Sequence, residues 1–175
     1  KFTNLKLFQA TSAGYDTIPV EELGKKGVIF CNARDVYSNQ IAEFAVMRLL
    51  EIYKKAPMYY RQQEKHKWLR DFKLQEITDK KVGILGTGSI GMQIAKRLKA
   101  FDAVTIGFNR SGNSAEYFDK IYKIDAFEGM AGELDVIIVA LPLNSGSEYI
   151  INKNILEKMH SKSVLINIGR GMSVD

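Results

Sequence analysis

Residues 80–98 read KKVGILGTGSIGMQIAKRL. An apolar run over 82–85 leads without a break into Gly86. A helical pattern follows over 89–100, with Ile90, Ile94, Ala95 and Leu98 on one face. A strand that is apolar at every position is covered on both faces, which is the habit of a parallel sheet, and the helix behind it is a crossover. The G-x-G-x-x-G spacing of Gly86, Gly88 and Gly91 adds a chemical meaning. Gly86 permits the tight turn, Gly88 lets backbone approach a pyrophosphate, and Gly91 lets helix and strand pack closely. The free N–H groups and positive dipole end of the helix then face the phosphates. A lone glycine loop also occurs as a plain structural turn. Here the strand before it and the amphipathic helix after it favour dinucleotide binding, with Thr87, Ser89 and Ile90 completing the phosphate loop.

The same rhythm continues to the end of the chain. Residues 104–108, 121–124, 136–141 and 164–168 read as strands, and 127–134 and 153–159 as helices, so the expected fold class is α/β with a doubly wound parallel sheet. Upstream, 5–8 and 28–30 read as short strands around a helix over 19–26, with the small-residue turn TSAGYD at 11–16. Two strands cannot enclose a core of their own. The strongest helix signal is 39–55, which Asn39 or Ser38 can cap. Its stripe of Ala42, Val46, Leu49, Leu50 and Tyr53 is joined by Ile41, Phe44, Ala45 and Met47 around the circumference. A helix apolar on more than one side threads between domains or packs on a partner chain. Residues 56–78 read as a helix end followed by an extended connection.

With 175 residues, 46% of them hydrophobic, the chain supports one core of ordinary size and a fragment of a second domain. The formal charge of +5 is spread over lysines and arginines interleaved with acids, with no run of five, which argues against a nucleic-acid groove. The single cysteine, Cys31, excludes an internal disulfide and a thiolate metal cage, and fits a reducing compartment; no metal site is expected. No apolar run reaches membrane-spanning length, and the first residues show neither a signal-peptide layout nor an initiator Met.

Where the second strand of a dinucleotide fold ends, an acid marks NAD by binding the ribose hydroxyls. This chain has Asn109, Arg110 and Ser111 there, and no carboxylate. A guanidinium grips a 2′-phosphate in a fork and a serine hydroxyl adds a hydrogen bond, so NADP is favoured, with NAD through Asn109 as the alternative.

Taken in order, SAGYD at 12–16, AEFAVMRLL at 42–50, Trp68, the glycine stretch, DVIIVALPLNSGS at 135–147 and SVLINIGRGMSVD at 163–175 resemble the D-isomer-specific 2-hydroxyacid dehydrogenases. The resemblance covers nearly the whole chain. It implies residues 1–33 as a remnant of a flavodoxin-like substrate domain and 34–175 as a Rossmann NAD(P)-binding domain, incomplete at its C-terminus. It also implies hydride transfer between NAD(P)H and a 2-keto/2-hydroxy acid. Arg170 matches the arginine that binds the substrate carboxylate and polarises the reacting carbonyl; a planar guanidinium suits both tasks. Ala13 and Gly14 match the substrate loop, Ala140, Leu141 and Pro142 the border of the adenosine half, and Ile168 and Gly169 the neighbourhood of the nicotinamide.

The family's catalytic histidine and its glutamate partner lie downstream of the arginine motif, beyond Asp175. His66 and His160 do not match them and read as surface residues, and Glu43 reads as scaffold. The expectation is therefore a central piece of a larger, cytoplasmic enzyme. Alone it would bind a dinucleotide without efficient turnover, and it would form a homodimer through helix 39–55. The alternatives are a non-catalytic, dinucleotide-sensing, co-repressor-like module of the same family, and an interaction fragment whose glycine loop stays empty.

Overall fold

In a computed structural model the described residues are 3–71 and 73–175. Near the N-terminus, β1 (Leu7–Gln9), α1 (Val20–Lys25) and β2 (Ile29–Cys31) form one parallel βαβ unit whose strands pair only with each other. Both strands are too short and too exposed to make a core: Leu7 and Ile29 stand 53% and 64% exposed.

The helix α2 (Ser38–Tyr53) follows, then α3 (Ala56–Glu64). Here the structure departs from the sequence reading, which had no second helix. Lys55 takes a left-handed backbone, φ +53°, which breaks α2, and Pro57 in the first turn of α3 costs no hydrogen bond there. The expected cap of α2 is also absent. Tyr37 occupies that position without a side-chain bond, and the buried Ser38 hydroxyl instead accepts from Ser89 Oγ at 2.8 Å.

From β3 (Lys81–Leu85) onward the order is α4 (Ser89–Lys99), β4 (Val104–Asn109), β5 (Lys120–Lys123), α5 (Phe127–Met130), β6 (Val136–Val139), α6 (Lys153–Lys158) and β7 (Val164–Asn167). The helix expected over 127–134 is only one α-turn, flanked by 3-10 turns at Ile124–Ala126 and Ala131–Glu133. All five strands are parallel, in the order β5-β4-β3-β6-β7.

Alternation along the strands builds two cores. Val82, Ile84, Val136, Ile138, Val164 and Ile166 face Ala42, Leu49, Ile94 and Leu98 of α2 and α4. Phe108, Ile137 and Val139 pack on the other face with Phe127 and Ile155 of α5 and α6. The doubly wound α/β sheet read from the sequence is therefore present. Because the chain runs outward in both directions from β3, the topological switch lies between β3 and β6, and the crevice of such folds opens at the C-terminal edge of that pair.

Candidate functional site

Five segments end at this edge. Backbone bonds set their register: Gly86 N donates to Phe108 O, Ala140 N to Leu85 O, and Ile168 N to Val139 O, at 2.8, 2.8 and 3.0 Å. The three glycines of the loop differ in what demands them. Gly86 has φ +100°, and a Cβ on it would lie 2.8 Å from Ala140 O. A Cβ on Gly91 would lie 2.0 Å from Gly86 O, so helix and strand touch through it. Gly88 is exposed, and a Cβ there would meet nothing within 4 Å. The protein's own packing needs Gly86 and Gly91; the open space at Gly88 fits a pyrophosphate lying against the backbone. The eleven-residue α4 begins directly after it, with no side chain capping its N–H groups.

Pro142 sits on the next loop, where the buried Ser147 hydroxyl donates to Pro142 O at 2.6 Å and accepts from Asn144 N at 2.9 Å. This fastens the segment after Ala140 and Leu141. Ser147 has a role that its spacing did not announce.

At the end of β7, Asn167 shapes the turn that carries Ile168, Gly169 and Arg170. Its Oδ1 accepts from Gly169 N at 3.0 Å and its Nδ2 donates to Arg170 O at 2.7 Å. A Cβ on Gly169 would lie 2.6 Å from Leu141 O, so β6 and β7 loops pack through that glycine. Arg170 then reaches across to the N-terminal unit, where its Nε donates to Asp16 Oδ2 at 2.8 Å. Its Nη1 donates to Gly169 O at 3.2 Å, and a Cβ on Gly14 would lie 2.0 Å from Nη2. The turn that receives it is shaped by Ser12 Oγ donating to Gly14 O and Asn32 Nδ2 donating to Ala13 O, at 2.7 and 2.8 Å. The ion pair is more than a third exposed on both sides, so it contributes little stability; its effect is to aim the guanidinium. Asp16 lay in plain sight in SAGYD, but no spacing rule connects residue 16 to residue 170.

A cavity of about 210 Å³ joins the two walls. It is lined by Ala13, Asp35 and Ser38 and by Gly88, Ser89 and Ala140. Thus the substrate loop, the phosphate loop and the β6 end, read separately from sequence, border one crevice. Arg110 and Ser111 lie exposed on the turn after β4. Both histidines are exposed as read; His160 Nε2 lies 3.8 Å from Asp135 Oδ1, before β6 and β7 begin and so at the opposite edge from Arg170. Glu43 pairs with Arg97 at 2.8 Å, bracing α2 on α4. Among the described residues no group of three His, Cys, Asp or Glu could hold a metal ion, and no helix is long and apolar enough to cross a membrane.

Fold and crevice together define a doubly wound parallel sheet with a glycine loop at its switch point, the form of a nucleotide-binding domain. The sequence model of the D-isomer specific 2-hydroxyacid dehydrogenase NAD binding domain matches residues 46–175, and the chain belongs to that family. It is 31% identical to hydroxyphenylpyruvate reductase of Plectranthus scutellarioides, over 98% of this chain and 54% of that protein. It is also 31% identical to D-2-hydroxyacid dehydrogenase (NAD(+)) of Clostridioides difficile, over 98% and 52%. Its fold superposes on an NADPH-dependent glyoxylate/hydroxypyruvate reductase from Sinorhizobium meliloti in complex with citrate. The TM-score is 0.87 at 28% identity, over 99% of this chain and 55% of that one. The chain spans about half the length of the curated relatives it matches.

Proposed function

We propose that this chain is the central piece of a full-length enzyme that transfers a hydride between NADP(H) and a 2-keto/2-hydroxy acid, with D stereochemistry. The observation that carries this reading is the convergence of Arg170 with the Ala13–Gly14 turn beside the open Gly88 backbone. A nicotinamide coenzyme held at the β3–β6 switch would supply or accept the hydride. The residues of this chain bind and orient, and the proton of the hydroxyl is assigned to the family's histidine downstream of the arginine motif. Backbone N–H groups from Gly88 to Ile90 hold the pyrophosphate, Ala140 to Pro142 border the adenosine half, and Ile168 and Gly169 border the nicotinamide. Arg170, held at Nε by Asp16, keeps its outer edge for the substrate carboxylate and stabilises negative charge growing on the reacting oxygen. Ala13 and Gly14 offer backbone N–H groups to the same carboxylate.

The coenzyme preference rests on residues 109–111. Arg110 is an exposed cation there, and no carboxylate stands on the strand end to repel a 2′-phosphate. Relatives differ on this point, since one is named for NAD(+) and another for NADPH.

Residues up to 33 belong to a substrate domain in this reading, because β1 and β2 pair only with each other and leave Leu7 and Ile29 uncovered. A homodimer forms through α2. Phe44, Met47 and Ile52 stand exposed on it, and an apolar groove of about 630 Å³ runs beside it past Leu50, Tyr60 and Phe101. Met47→Glu should shift the sedimentation coefficient from dimer to monomer. The lone cysteine fits a cytoplasmic setting.

Hydroxypyruvate- and glyoxylate-dependent oxidation of NADPH by the full-length parent enzyme tests the function, whereas residues 1–175 alone should bind NADPH without efficient turnover. Arg170→Gln should lower kcat/KM by about a hundredfold or more while NADPH binding is retained. Failure of the wild type to bind either coenzyme, or full activity in the variant, would overturn the reading.

A further inference from the structure

Asn109 ends β4 at the place where a ribose ligand is expected, yet its amide is already spent. Nδ2 donates to Thr87 Oγ1 at 2.9 Å and to Asn113 O at 3.0 Å. Oδ1 accepts from Gly112 N at 2.6 Å and from Ser111 Oγ at 3.3 Å. A primary amide has two donor hydrogens and two acceptor lone pairs, so these four bonds exhaust it. The turn it closes needs Gly112, whose φ is +74°, and rests on Lys123, whose Cγ would lie 3.1 Å from a Cβ on that glycine. At its other end the amide grips the phosphate loop. Thr87 is fixed by packing as well, since a Cβ on Gly107 would lie 2.7 Å from its Cγ2, leaving its hydroxyl to meet Asn109. Having accepted that bond, the Thr87 hydroxyl keeps its own proton to give.

We propose that Asn109 is a positioning residue for the coenzyme rather than a ribose ligand: it ties the turn bearing Arg110 and Ser111 to the phosphate loop, and so sets the preference for a 2′-phosphate. The inference rests on the NADP reading above. Through the bridge, the Arg110 cation meant for the 2′-phosphate keeps a constant distance from the loop that holds the pyrophosphate, while the Ser111 hydroxyl spends its proton on Asn109. A carboxylate at this position would lose the bond to the Asn113 carbonyl, keep those from Gly112 and Ser111, and put negative charge where the 2′-phosphate lies.

Fluorescence titration of the purified protein with NADPH and with NADH tests this, without turnover. The wild type should prefer NADPH. Asn109→Ala should weaken NADPH about tenfold, roughly 1.4 kcal/mol, and NADH less than about twofold. Asn109→Asp should reverse the preference, and Thr87→Val, which severs the same bridge from its other end, should weaken NADPH more than NADH. A merely structural loss would lower both coenzymes in Asn109→Ala and leave their ratio alone; so would a direct ribose contact, and either result overturns the inference. An unchanged ratio in Asn109→Ala with a collapsed one in Arg110→Met sinks the bridge but leaves the NADP reading standing. Equal affinities in the wild type with no effect of Arg110→Met sink both. If Asn109→Ala unfolds below the titration temperature, Thr87→Val and Asn109→Asp decide.

Discussion

The two walls of the crevice are built by opposite means. One is the edge of a five-stranded sheet whose central strands β3 and β6 are buried on both faces, with Val82, Ile84, Val136, Ile137, Ile138 and Val139 wholly inaccessible. The other is a two-stranded unit with no buried residue in its helix and exposed apolar side chains on both strands. Glycine shows the difference at one distance. A Cβ on Gly91 or on Gly14 would come to 2.0 Å from its neighbour, but the neighbour is a backbone carbonyl in the first case and the tip of an arginine in the second. A close-packed wall cannot yield, whereas a guanidinium at the end of four rotatable bonds can. The coenzyme wall therefore holds its shape by packing, and the anion wall by one aimed side chain.

The largest test of this contrast is in the strands. Ile138→Ala, emptying a fully buried site, should cost about 4 kcal/mol in denaturant unfolding, and Ile29→Ala under about 0.5 kcal/mol. Similar losses would erase the distinction. Next come the glycines. Gly91→Ala should cost about 2 kcal/mol or more in stability. In the full-length enzyme, Gly14→Ala should leave the melting temperature nearly unchanged but lower kcat/KM by up to about a hundredfold, because the guanidinium must move aside. A Gly14→Ala variant with normal kinetics would mean that Arg170 is not aimed by this contact.

The smallest effect probes an imperfection in the packed wall. The Tyr53 hydroxyl is buried without a hydrogen-bond partner among the described residues. Burial first, and the Asp135 carboxylate second, push its pKa from 10.0 up to about 12. Between those values the unfolded chain loses a proton that the folded chain keeps. Stability is therefore intact below about pH 10 and falls as pH rises toward 12. Tyr53→Phe should remove that alkaline slope and raise stability at neutral pH by about 1 kcal/mol, read by thermal melts across the pH range.

Much of the coenzyme wall was legible in the residues themselves. Strand, glycine spacing and helix are consecutive, so 82–98 could be read locally, and the apolar runs of β6 and β7 announced a sheet covered on both faces. The left-handed Lys55 and the new helix after it were not legible, since no residue type there demands φ > 0. Nor was the role of Asn109, whose side chain serves a loop 22 residues away as well as its own turn.

Local periodicity and glycine geometry determined the α/β class, the order of the strands and the place of the glycine loop, because those properties are settled within one or two turns of chain. Only the tertiary structure decided that Asp16 meets Arg170 and that Ser38 meets Ser89, pairs 154 and 51 residues apart. Such contacts depend on how a twisted parallel sheet brings separate strand ends to one edge, and nothing in the intervening sequence encodes that distance.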